Sequence, residues 1–115
     1  MKHAIRLRAI GMMALGGMVF SCMAADAIPA KSKTYQVAIQ NFAFAPKTVT
    51  VPAGTRVTWT NRDEEPHVIT SAGALFTSSK ALDSGDTYAV TFAKPGTYAY
   101  YCSIHPMMVG TIIVQ

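Results

Sequence analysis

With 115 residues the chain has room for one domain. Its formal net charge of +4 comes largely from the first eight residues: without Lys2, Arg6 and Arg8, seven Lys and Arg face six Asp and Glu. A near-neutral remainder with scattered charges lacks the clustered basic face that nucleic acid requires, so that class of partner is excluded.

The first element is a leader. Basic residues precede an uncharged apolar run of twelve, Ala9 to Phe20, and small residues follow around Ala24, Ala25 and Ala27. This order predicts an export signal over residues 1–25 and an exported, periplasmic protein. The run falls short of the roughly 20 residues a transmembrane helix needs, so no transmembrane anchor is expected. In an alternative reading Val19-Phe20-Ser21-Cys22 is a lipobox, and Cys22 carries a lipid anchor. Residues 26–33 are small and polar, without periodicity, and form a linker.

From Thr34 onward a period of two dominates. Tyr35, Val37 and Ile39 share one face of a first strand, and Val49 and Val51 share a face of a second, before the Pro52-Ala53-Gly54 turn. Val57 and Trp59 point inward from a third strand, with Arg56, Thr58 and Thr60 outward. Past His67 and a loose stretch of Ser, Gly and Ala, Tyr88, Val90 and Phe92 alternate with Thr87, Ala89 and Thr91. The Lys94-Pro95-Gly96 turn leads into Thr97 to Cys102, and Gly110 to Val114 forms a closing strand. The pattern predicts an all-β, two-sheet Greek-key β-sandwich of seven or eight strands over residues 34–115.

The chemistry lies at the end of the chain. Cys102, His105, Met107 and Met108 fall within seven positions, and His67 stands 35 residues before the cysteine. Without the leader these are the chain's only cysteine, histidines and methionines, so an exported domain carries a single thiol and no internal disulfide. Thiolate and thioether are soft donors that favour Cu(I), and imidazole suits both copper oxidation states. A His2Cys set with a weak axial Met describes a blue-copper electron-transfer centre. Taken alone, each residue has a plainer reading: Cys102 as a small buried hydrophobe, Met108 as core filling, His67 as a solvated loop residue. Asp63-Glu64-Glu65 reads as a solvated acidic loop.

Several segments together carry a resemblance. Phe44-Ala45-Pro46, Val51-Pro52-Ala53-Gly54-Thr55, Val57-Thr58-Trp59-Thr60-Asn61, Pro66-His67, Phe92-Ala93-Lys94-Pro95-Gly96-Thr97-Tyr98 and Cys102-x-x-His105-x-x-Met108 followed by Gly110 resemble the cupredoxins, the small blue copper proteins. The similarity is greatest to the amicyanin and plastocyanin-like branch. The resemblance implies one copper ion per chain, with His67, Cys102 and His105 as a trigonal set and Met108 as the long axial ligand. It also implies a monomeric electron carrier, not an enzyme, cycling between Cu(I) and Cu(II). Transient donor and acceptor proteins, such as a dehydrogenase and a c-type cytochrome, would dock near His105. Pro106 and Met107, with Pro66 or Phe76, would supply an apolar docking patch.

The chain departs from the family at Val68, where Asn commonly follows the first His and ties the two ligand loops together. That side-chain bond cannot form here, which bears on loop rigidity and on potential. The tandem Met107-Met108 leaves two thioethers at the axial step; spacing selects Met108 and places Met107 on the surface. The same ligands would also serve periplasmic copper binding, delivery or resistance. A binuclear centre needs two thiolates in this loop, and Ser103 excludes it. A Cys-His nucleophile lacks an orienting Asn or Asp and an oxyanion-hole loop.

Overall fold

The structure, a computed structural model, describes residues 33–115 together with Gly16 and Gly17. The export signal over 1–25 with Cys22, and nearly all of the 26–33 linker, lie outside the described residues. Among the described residues no helix is long and apolar enough to cross a membrane.

Eight strands form two mixed four-stranded sheets. One sheet has the order β2-β1-β4-β6, built from β1 (Thr34–Gln40), β2 (Ala43–Ala45), β4 (Thr55–Asn61) and β6 (Thr87–Phe92). The other has the order β3-β8-β7-β5, built from β3 (Thr48–Val51), β5 (Thr70–Ser71), β7 (Gly96–Cys102) and β8 (His105–Val114). Each sheet contains one parallel pair, β1 with β4 and β3 with β8. Every connection from β2 to β7 crosses between the sheets, as in a Greek-key sandwich. Only β1–β2 and β7–β8 are hairpins within a sheet.

The period of two places the core. Val37 and Ile39 of β1, Val57 and Trp59 of β4, Val49 and Val51 of β3, and Met108, Ile112 and Val114 of β8 are all buried. Trp59 lies at the centre, with the rings of Tyr100, Tyr88, Phe76 and Phe92 at 5.3, 6.2, 6.3 and 6.4 Å. Phe76 is half-buried and packs on Trp59 and on Phe92. Burial pushes the Tyr100 phenol up to about 12, so it stays protonated at any physiological pH.

The closing strand begins earlier than alternation alone suggests, at His105. Cys102 and His105 are register partners across a two-residue turn, Ser103-Ile104. The next pair is Tyr101 with Val109, so β8 spends three extra residues, Pro106–Met108, where β7 advances by one. Such a bulge bends the strand and re-aims its side chains. It leaves Met108 buried and Met107 76% exposed.

Gly110 is the cross-strand partner of Tyr100, whose ring lies over it: a Cβ there would sit 2.3 Å from the ring and 2.4 Å from its hydroxyl. Adding that methyl would displace a buried aromatic. Gly110→Ala should therefore destabilise the fold by about 1–3 kcal/mol, read as a lower urea midpoint with an unchanged slope.

Candidate metal centre

Three side chains meet where the two hairpins end. His67, Cys102 and His105 bring one donor atom each to within 4.8 Å of one another. Cys102 Sγ is 3.9 Å from His67 Nδ1 and 3.7 Å from His105 Nδ1. For ligand bonds of about 2.0–2.3 Å, usual for a His/Cys site, two donors opened by about 120° lie about 3.7 Å apart. Both sulfur–nitrogen distances fall close to that spacing. Cys102 and His67 are fully buried and His105 is half-buried, so any metal here would show solvent only one imidazole edge. Met108 is buried in the same core, whereas Met107 is exposed.

Each donor is held by its own framework. Cys102 and His105 hang from the long β7–β8 ladder, and their i, i+3 spacing is that of residues flanking a two-residue turn. His67 belongs to no strand but makes an isolated bridge with Leu82: its N–H donates to Leu82 O at 3.1 Å, and Leu82 N–H donates back at 2.8 Å. Asn61, fully buried at the end of β4, braces that bridge. Its Nδ2 donates to Leu82 O and Glu65 O at 2.9 and 2.8 Å, and its Oδ1 accepts from Asp63 N–H at 3.0 Å. The 61–67 loop is shaped from within by one amide side chain.

The missing Asn at position 68 has a partial backbone substitute. The Val68 N–H donates to Cys102 Sγ at 3.3 Å, so the two ligand segments are tied directly at the sulfur.

Two residues that sequence reasoning passed over belong to the site. Asp63, expected to be a solvated acid beside Glu64 and Glu65, is largely buried and lies 2.8 Å from His67 Nε2. Its carboxylate also accepts the N–H groups of Asn41 and Phe42. Phe42, at the tip of the β1–β2 hairpin, stands edge-on to both imidazoles, with ring centroids 5.3 Å from His67 and 5.1 Å from His105. The i−4 spacing of an acid before a histidine is a weak signal; a phenylalanine 25 residues upstream carries none.

Burial alone would raise the Asp63 carboxyl, but hydrogen bonds from Phe42, Asn41 and His67 outweigh it and hold the group below its ordinary 3.8. A carboxyl that binds its proton less readily folded than unfolded contributes stability fully above the unfolded value. That contribution is lost as pH falls from there through the lower folded value. The copper-free protein should lose stability over that acid window, and Asp63→Asn should remove that part of the pH dependence in acid-unfolding titrations.

A family model, the Cupredoxin-like domain, matches residues 11–114. Amicyanin-alpha from Methylorubrum extorquens is 36% identical over 84 residues, covering 70% of this chain and 71% of the relative. Plastocyanin from Prochlorothrix hollandica is 32% identical over 112 residues, covering 85% and 86%. Among solved structures, a purple cupredoxin from Nitrosopumilus maritimus superposes with a TM-score of 0.65 at 34% identity, covering 70% of this chain and 98% of its own. With the sandwich and the clustered donors, these matches establish that the chain belongs to the cupredoxin family.

Proposed function

We propose that the protein is a mononuclear copper electron carrier. His67 Nδ1, Cys102 Sγ and His105 Nδ1 would hold one ion, with Met108 as the weak axial ligand. The observation that carries this reading is the convergence of two imidazole nitrogens on a buried sulfur at trigonal spacing. That donor set suits copper, and copper bound there supplies a one-electron couple.

The chain's residues do the rest. The β7–β8 turn and the His67–Leu82 bridge fix the backbone that carries the donors, so little rearrangement should accompany a change of charge. Four protein ligands leave no position for water or substrate, in contrast to hydrolytic metal sites, and this argues for a carrier without turnover of its own. His105 is the ligand nearest to solvent. Phe42 lies beside it, Ile104 and Met107 stand within two residues of it in sequence, each is at least 45% exposed, and together they would offer an apolar surface for brief contact with donor and acceptor proteins. Such redox encounters bury less than about 1,200 Å² in total. A dehydrogenase as donor and a c-type cytochrome as acceptor, met in the periplasm by a monomer, would suit this surface.

Copper delivery is the less favoured reading because the soft donor is sealed. Cys102 is fully buried, and Met107, the one exposed thioether among the described residues, points away from the ligand set.

The test is the visible spectrum of the Cu(II)-loaded protein and its variants. An intense Cu(II)-thiolate band is expected and should vanish in Cys102→Ser. Met108→Leu should keep an intense band with a shifted potential, and Met107→Leu should change neither. A Cys102→Ser protein that remained intensely coloured would refute the assignment.

A further inference from the structure

One carboxylate outside the ligand set receives three hydrogen bonds. Asp63 Oδ1 accepts the Asn41 N–H at 2.7 Å, and Oδ2 accepts the Phe42 N–H at 2.9 Å and faces His67 Nε2 at 2.8 Å. Because an ionised carboxylate only accepts, Nε2 must carry the proton, which leaves the Nδ1 lone pair on the side of Cys102 Sγ. Asn41 and Phe42 are the two residues between the paired Gln40 and Ala43, with φ of 54° and 55°. Two consecutive left-handed residues make the tight hairpin turn, and at a bulky residue such as Phe42 this conformation is disfavoured because Cβ crowds the following carbonyl oxygen. Nothing in the residue's own preference selects it. What holds it is the pair of N–H bonds to Asp63, and the result is a ring standing at 88° to both imidazoles while 45% exposed.

We propose that Asp63 is a positioning residue that clamps His67 and the Phe42 turn into one unit. One oxygen orients the imidazole, and the same carboxylate seats the aromatic wall between the two histidines and solvent. The proposal rests on the reading of His67 as a copper ligand. An anionic partner on the far nitrogen strengthens the near one as a donor and favours the more highly charged metal state. Asp63 therefore tunes the centre without touching it.

Asp63→Ala and Asp63→Asn test this in the full-length protein, with Glu64→Ala, an exposed neighbouring carboxylate, as control. In the copper-free protein the wild type should show a His67 Nε2–H resonance protected from exchange, and protected amides at Asn41 and Phe42. Asp63→Ala should lose the resonance and speed exchange of both amides by about tenfold or more. In the loaded protein Cu(II) affinity should fall by about 10- to 100-fold and the potential should rise. Asp63→Asn, close in volume but uncharged, should reproduce the rise in potential even where Asp63→Ala folds poorly. A clamp is overturned if both variants match Glu64→Ala in affinity, potential and exchange. A role confined to stability is indicated, and the proposal fails, if they lower only the melting temperature. Should the wild type form no copper-thiolate site, the functional reading fails, while the exchange data still decide whether Asp63 holds the turn and the ring.

Discussion

A sulfur buried beyond the reach of water constrains everything near it. Cys102 Sγ has no solvent to stabilise a negative charge, and burying an uncompensated charge is costly. The Val68 N–H reaches the sulfur at 3.3 Å, and two imidazole nitrogens stand at under 4 Å, where a cation shared by the sulfur and the nitrogens would offset that charge. These groups come from two segments 34 residues apart, so the thiol becomes the junction at which the β4–β6 side of the sandwich is fastened to the β7–β8 hairpin. From Thr34 onward the chain has a single cysteine, so within the domain this junction, and not a disulfide, fastens the two segments.

The architecture makes the junction possible because both within-sheet hairpins end at one pole. The β1–β2 turn delivers Phe42 and the β7–β8 turn delivers Cys102 and His105. The crossing connection from β4 to β5 delivers Asp63 and His67. Rigidity comes from beneath. Trp59 and its ring of aromatics fill the space between the sheets, and Asn61, at the end of the same strand, directs its side-chain amide to Asp63 and Glu65 of the loop that carries His67 and to Leu82, the residue bridged to His67. The core strand that packs the domain also shapes the ligand loop.

Much of this was legible in the sequence, and the exceptions have physical reasons. Alternation found the inward faces at Val37 and Ile39 and at Val57 and Trp59, because a strand with one buried face writes its period into the residue order. Clustering of soft donors found Cys102 and His105, and the match to family motifs brought in His67. β2 escaped because three residues are too few to display a period. The start of β8 escaped because a bulge breaks the alternation over Pro106–Met108, where the ligand motif lies. Asp63 sat among two exposed acids and looked like them, since only the fold turns its carboxylate toward His67 and away from water. Phe42 carried no signal in the residue order; a phenylalanine in the left-handed region is intelligible only once its contacts with two imidazoles are seen.

The central claim is that the protein framework, and not the metal, sets the ligand geometry. Crystal structures of the copper-free, Cu(I) and Cu(II) forms test it most directly. If the framework governs, Cys102 Sγ and the Nδ1 atoms of His67 and His105 should keep their positions within about 0.5 Å in all three. Rotation of either imidazole by more than about 1 Å at the nitrogen between forms would mean that the metal assembles the site, and would contradict the account.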